Sequence, residues 1–314
     1  MKKLLILGVS GLLGINLAME AEGQYQLSGV SRSVSIPGAS FPVRQADLER
    51  GENVQHVIEE IEPDIVINST ALASLEACEA DPQRAERLNV DLPRCLANIC
   101  SEKNIRLLQI STDAVFDGER GDYREEDAVN PLSVYARTKW EGEEAVRDEY
   151  PQASIARVNF FGWSLSGTRS LAEFFYNNLN LKKPMKGLTD RFFNPLHASH
   201  LSQLLIEIID RNLSGTLHVT SPISLSKYDF GVALANKFGM DSDLIEPARA
   251  DEIGYQAARS PNLTLNVDKL KNIFPKDIPS TFDGLDLLLS QSDDKYPERI
   301  RKMLAAPLRE SELL

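Results

Sequence analysis

Apolar residues along the chain fall into short dense runs separated by longer amphipathic stretches. The runs at 4–7 (LLIL), 64–68 (DIVIN) and 106–110 (RLLQI) are almost continuously apolar, as parallel strands covered on both faces must be. Runs at 25–30, 41–46 and 154–158 read as further strands. Between them, 12–21, 52–61, 82–101 and 131–150 carry helical periodicity. The last of these has Asn130 placed to cap a helix and Pro131 at its first position. Strand–helix alternation of this kind predicts an α/β fold with an open, doubly wound parallel sheet.

After 158 the regularity fades. Residues 163–195 mix Gly, Ser, Lys and aromatics around one helix near 171–181, and a helix at 198–212 with a strand at 216–220 returns to the sheet. The expected organisation is a Rossmann-like domain over 1–163 plus about 196–222, with a smaller C-terminal lobe over about 164–195 and 223–314. The cleft between them is the expected binding site.

Charge and cysteine content narrow the function classes. The 314 residues carry a net charge of −12 with no strongly basic stretch, which argues against a nucleic-acid partner, since phosphate neutralisation needs clustered Lys and Arg. Local cations or helix ends can still hold a phosphate. Cys78, Cys95 and Cys100 are odd in number and lack metal-ligand spacing, so they read as reduced apolar residues of an intracellular protein. The start, MKKLLILGVSGLLG, places two lysines before apolar residues, but Gly8, Ser10 and Gly11 break the run and Asn16 and Glu20 follow. It reads as a strand and glycine turn rather than a targeting segment. No stretch approaches bilayer length, so the expectation is a cytoplasmic protein without a membrane partner.

Gly8, Gly11 and Gly14 form G-x-x-G-x-x-G between the first strand and the first helix, around Ser10, Leu12 and Leu13. Glycines there permit a tight turn, close approach to a pyrophosphate and tight packing of a helix whose free N–H groups face the phosphates. The second strand ends Gly29-Val30-Ser31-Arg32-Ser33, without the acid that binds NAD ribose hydroxyls. Arg32 is placed to pair with a 2′-phosphate and Ser31 to donate to it. The expected cofactor is NADPH, with NADH as the alternative.

Tyr135 and Lys139 lie four residues apart in a predicted helix, on one face. An ammonium beside a phenol stabilises the phenolate and lowers its pKa from about 10, so such a tyrosine can hand a proton to a carbonyl oxygen as hydride reaches the carbon. Ser111 and Thr112 follow the apolar strand at 106–110, where strand-end hydroxyls face the cleft, and either can bond the substrate oxygen. Asn68, Ser69, Thr70 and Ala71 close the fourth strand and are placed to line the nicotinamide pocket.

GVSGLLG, DIVINSTA, ISTDAVFDG, NPLSVYARTKWEGE and ARVNFFG, in this order, resemble the extended short-chain dehydrogenase/reductases, and within them the dTDP-4-dehydrorhamnose reductase group. The similarity covers nearly the whole chain and is strongest over 1–162. It implies cofactor glycines at Gly8, Gly11 and Gly14, an adenine-side pair at Asp47 and Leu48, and catalytic Thr112, Tyr135 and Lys139. The implied reaction is NAD(P)H-dependent reduction of the 4-keto group of a nucleotide-linked 6-deoxy sugar, dTDP-linked in this group. Ala114 stands where the group has a tyrosine, and 158–162 lacks its tryptophan. Both departures touch the sugar pocket.

Candidate substrate residues are Ser111, Asp113, Ala114, Asn159, Phe160, Arg191, Asn194 and Arg259. Asn89 is a candidate support for the active site. Glu76 and Glu79 read first as a solvated acidic face. His197 and His200 have no third ligand at a useful spacing, so no metal is expected. Two other readings remain at this level: a nucleotide-sugar 4-epimerase holding NAD tightly, and a non-catalytic NADP-binding regulatory subunit. A homodimer is compatible with either.

Overall fold

The structure, a computed structural model, describes residues 1–254, 259–274 and 276–304. Seven strands form the central sheet: β1 (Lys3–Leu7), β2 (Gln26–Ser31), β3 (Val43–Gln45), β4 (Ile65–Asn68), β5 (Arg106–Thr112), β6 (Ser154–Val158) and β7 (Gly215–Val219). All pair in parallel in the spatial order β7-β6-β5-β4-β1-β2-β3. The chain runs outward from β1 in one direction and from β4 in the other. The crevice at the carboxyl ends of β1 and β4 is therefore the topological switch point, where ligands bind in such sheets.

Side-chain alternation explains why the inner strands carry apolar residues toward both faces. In β1, Leu4 and Ile6 face one apolar cluster while Leu5 and Leu7 face the other. Helices α1 (Leu12–Ala21) and, later in the chain, the one at Ala198–Asp210 cover the first face. The second face is covered by α2 (Gly51–Ile61), through Val54, Val57 and Ile58, and by two further helices. These follow the short α3 (Leu75–Ala80) and α4 (Pro82–Glu86), and are α5 (Leu92–Lys103) and α6 (Val134–Glu149).

Three expectations shift. The helical pattern over 82–101 is interrupted by a π turn at Arg87–Asp91. The third strand shortens to Val43–Gln45. The helix expected from 131 starts at Val134 with Ser133 as its N-cap, Oγ accepting from Ala136 N at 3.2 Å. Asn130 is held elsewhere: its N–H donates to Val115 O at 3.1 Å and its Nδ2 to Asp117 at 3.2 Å.

Beyond the sheet, α7 (Leu171–Asn180), α8 (Ala198–Asp210), α9 (Lys227–Lys237), α10 (Asp268–Ile273), α11 (Thr281–Asp293) and α12 (Tyr296–Lys302) complete the helices. Parallel pairing of Met185–Leu188 with Ile245–Ala248 braces the C-terminal lobe. Phe230 sits at its centre, with ring centroids 5.0 Å from Phe161 and 5.6 Å from Phe193. The cluster holding Phe230 also holds Leu4 and Ile6, so lobe and sheet share one core. Asn16 of α1 stitches them, donating to Trp163 O at 3.0 Å and accepting from the Tyr296 hydroxyl at 3.0 Å. Cys78, Cys95 and Cys100 are free thiols. Among the described residues, no helix is long and apolar enough to cross a membrane.

Candidate active site

The glycine turn leaves β1 with Gly8 at φ +79°, a left-handed conformation that favours glycine. A Cβ on Gly14 would stand 2.3 Å from Gly8 O, so only glycine lets α1 approach the turn this closely. Gly11 is the N-cap, and no side chain caps α1. The first amides of the helix are left to whatever occupies the cleft.

That cleft is lined by Gly8, Ser10, Gly11, Arg32, Asp47, Leu48, Ser69, Thr70 and Ala71, together with Leu88 and Arg169. Arg32 lies 3.6 Å from Glu49, which also receives Arg84 Nε at 2.8 Å. Ser31 departs from expectation. It is buried, and its hydroxyl donates to Ser10 Oγ at 3.0 Å instead of facing the cleft. Leu12 and Leu13 turn their side chains into the protein and offer only backbone to a phosphate. Asn68 is buried as well, and it shapes the next loop, donating to Gln109 at 2.8 Å and accepting from Thr70 N at 3.1 Å.

A second cleft adjoins the first through Ser69, Thr70 and Ala71, and is walled by Ser111, Thr112, Asp113, Tyr135, Lys139, Asn159 and Phe160. Thr70 Oγ1 is buried between the two with no hydrogen-bond partner among the described residues. A polar atom left so is costly unless a ligand satisfies it. The open amides of α1, the glycine cradle and this hydroxyl all suit a dinucleotide lying from Asp47 to Tyr135.

Tyr135 lies in the first turn of α6, fixed by the Ser133 cap and by Glu79, whose carboxylate accepts from Val134 N at 2.9 Å. Glu79 is exposed, as the sequence suggested, and it also anchors the first turn of α6. The phenol shares a hydrogen bond with Thr112, and burial pushes its pKa up to about 12. Lys139, one turn on, donates to Ile110 O at 2.7 Å, and burial lowers it to about 8. Thr112 is the neighbour that favours the phenolate, while Asp113 and Cys78 oppose it.

Thr112 also donates to Asp113 at 3.0 Å. Burial pushes the Asp113 carboxyl up to about 6, against hydrogen bonds from Asn159 and Thr112 and the Lys227 charge. Lys227, unremarked in the sequence, heads α9 and lines a third hollow with Arg191, Arg259, Ala114, Leu132 and Phe192. Burial, followed by Arg259 and Arg191, lowers its pKa. Arg191 Nε is buried without a partner among the described residues, while Arg259 pairs with Glu76.

Other candidates have structural employment. The Ser111 hydroxyl donates to Glu143 at 2.5 Å. Glu143 is fully buried and takes Arg157 through Nε at 3.0 Å and Nη2 at 2.9 Å. The only early signal for Glu143 was its i+4 spacing from Lys139. Asn194 is buried and clamps the lobe, its Nδ2 donating to Ser221 O and Leu265 O, both at 2.8 Å. Asn89, on the π turn, joins Leu72 at 2.9 Å to Thr138 of α6 at 3.1 Å, supporting the active-site wall. Its carbonyl would lie 2.0 Å from a Cβ on Gly142, so α6 needs glycine there. His197 is buried, accepts from Ser199 N at 3.1 Å, and has its pKa lowered to about 3 by burial.

Comparison with known proteins gives the family and agrees with the fold. The sequence model described as RmlD substrate binding domain matches residues 1–293. The chain is 31% identical to the Probable low-salt glycan biosynthesis reductase Agl14 of Haloferax volcanii, over 92% of this chain and 98% of that protein. It is 27% identical to Methionine adenosyltransferase 2 subunit beta of Bos taurus, over 87% of this chain and 82% of that one. The crystal structure of dTDP-4-dehydrorhamnose reductase from Bacillus anthracis, in complex with NADP, superposes with a TM-score of 0.84 at 23% identity, covering 92% of this chain and 99% of that chain.

Proposed function

The chain belongs to the RmlD substrate binding domain family, and from that footing we propose that it is an NADPH-dependent reductase of the 4-keto group of a nucleotide-linked 6-deoxy sugar, dTDP-linked by preference. The observation that carries this is the Tyr135–Thr112 hydrogen bond in a cleft continuous, through Thr70, with the glycine turn.

Bound along Gly8 to Ala71, the reduced dinucleotide supplies a hydride. Tyr135 stays protonated at neutral pH, so it can bond a ketone oxygen and release its proton as charge builds there. Thr112 orients that oxygen. Lys139, held on Ile110 O, offers positive charge beside the developing alkoxide and a donor to a ribose. Desolvation strengthens each of these interactions.

Arg191, Lys227 and Arg259 converge on the third hollow, a set suited to a diphosphate. Phe192 and Leu132, both exposed there, offer apolar surface to a base. Ala114 leaves room beside the sugar. The test is to incubate the protein with NADPH and dTDP-, UDP- and GDP-linked 4-keto sugars and follow the absorbance of the reduced nicotinamide. No oxidation with any of them would sink the proposal.

Kinship with the adenosyltransferase beta subunit favours a second reading, a binding subunit. The complete Thr112, Tyr135 and Lys139 set weighs against it. Partner binding unaltered in Tyr135→Phe, with no turnover in the parent, would favour it.

A further inference from the structure

The loop between Gly162 and α7 carries an arginine that the reaction as described leaves unused. Arg169 lines the same cleft as Gly8, Ser10 and Gly11. Its side chain is exposed and makes no ion pair or side-chain hydrogen bond among the described residues.

Its backbone is held firmly. Glu173 is fully buried and its carboxylate accepts from Ser164 N at 2.7 Å, Ser164 Oγ at 2.8 Å, Arg169 N at 2.8 Å and Ser170 N at 3.1 Å. Gly167, at φ +72°, turns the loop, and its carbonyl accepts from Asn177 at 2.8 Å. A buried carboxylate that gathers this many donors fixes the path of the loop. Residue 169 is thus presented on a rigid support while its guanidinium stays free to meet a ligand.

The loop also has a set position relative to α1. Trp163 O is bonded to Asn16, in the second turn of α1. The segment after Trp163 therefore starts beside the helix whose uncapped first turn faces the cleft. An anion on those amides would share the cleft that Arg169 lines.

We infer that Arg169 is a positioning residue that clamps the dinucleotide's pyrophosphate from the lobe side, opposite the glycine turn. The inference rests on the cofactor reading above. It differs from the role of Arg32, which lies at the ribose end of the same cleft. The amides of α1 and the guanidinium would grip the two sides of the diphosphate, so that filling the cleft ties the loop of 163–170 to the sheet.

The test is fluorescence titration of NADPH and of NADH into the parent, Arg169→Ala and Arg169→Lys. Loss of one charge-assisted contact should raise both dissociation constants by the same factor, roughly 10- to 100-fold, in Arg169→Ala. Arg169→Lys should recover part of the loss, and thermal midpoints should match because the side chain is exposed. Unchanged binding in Arg169→Ala overturns the inference. So does a loss confined to NADPH, which would move the contact to the 2′-phosphate. A parent that binds neither dinucleotide would instead sink the cofactor reading itself.

Discussion

Lys139 Nζ donates to the main-chain oxygen of Ile110 at 2.7 Å, tying α6 to β5 two residues before the end of the strand. The bond holds the ammonium inside the cleft at a position set by the sheet, and burial lowers its pKa to about 8. The charge is therefore present below about 8 and lost above it, while the Tyr135 phenol keeps its proton up to about 12. The expected pH profile of kcat/KM in the reducing direction has a single descending limb near 8. Lys139→Arg should carry that limb upward, since guanidinium does not titrate in this range. A limb that stays in place in this variant would assign it to another group.

Tyr135→Phe removes the proton donor and leaves the ring. Turnover should fall by roughly 10²- to 10⁴-fold, the usual span for a general acid. The dissociation constant for NADPH should stay near that of the parent, because the substitution leaves the cleft at the glycine turn unchanged. Stopped-flow single turnovers beside cofactor titration separate the two effects. A variant turning over like the parent would remove Tyr135 from the mechanism.

The sheet was legible because parallel strands buried on both faces, such as Leu4–Leu7, are densely apolar. The glycine turn was legible because Gly8 and Gly14 answer to local geometry. Less could be read where tertiary contacts override local preference. Asn130 and Pro131 form a good helix start in isolation, yet Asn130 is bonded to Val115 and Asp117, and the cap passes to Ser133. Ser31 and Ser111 lie at strand ends facing the cleft, but their hydroxyls meet Ser10 and Glu143, residues distant in sequence. Lys227 and Arg169 were invisible for the converse reason. Lys227 opens α9 and Arg169 lies in the loop before α7, both in the part of the chain where the strand–helix alternation has faded, and only the fold brings them to the clefts.

Arg32 offers a cofactor prediction that contrasts with Arg169. Its only ion-pair partner among the described residues is Glu49, at 3.6 Å, so its guanidinium can turn to a 2′-phosphate at small cost. Arg32→Ala should weaken NADPH by about 10-fold and leave NADH unchanged, as a lost contact to one phosphate requires. Equal weakening of both dinucleotides would show that Arg32 does not read the 2′ position.

Asp113 should trade stability for function. Its carboxyl titrates at about 6 in the folded protein because burial disfavours the charge, against about 3.9 in an unfolded chain. The folded state takes up the proton first as pH falls. The parent therefore gains stability from about pH 7 down to about 4, by on the order of 3 kcal/mol. That contribution is complete below the unfolded pKa and gone above the folded one. Asp113→Asn should be more stable than the parent at pH 7.5 by urea denaturation and should flatten the slope between about 4 and 6. It should lose activity, because Thr112 and Asn159 are both bonded to the carboxylate. A variant less stable than the parent at pH 7.5 would mean that those hydrogen bonds outweigh the cost of the buried charge.

Glu143 and Arg157 form the one ion pair whose removal should reach the active site through the fold. Both are buried and doubly bonded, and Glu143 also accepts from Arg147 at 2.6 Å and from Ser111 at 2.5 Å. Replacing Glu143 strands the buried Arg157 charge and replacing Arg157 leaves Glu143 with Arg147 as its remaining cation, a loss of up to roughly 3–5 kcal/mol, whereas replacing both with apolar side chains is often near neutral. Glu143→Leu and Arg157→Leu alone should therefore each lower the urea midpoint strongly, and the double variant should recover much of the loss. Activity should separate the two effects. With Glu143 gone, Ser111 loses its acceptor beside Thr112 and the field holding the Lys139 charge weakens, so even the restabilised double variant should show the descending pH limb moved below 8. Double-variant stability equal to the sum of the single losses would mean that the two side chains act independently, and the ion pair would then carry none of the coupling between β6 and α6.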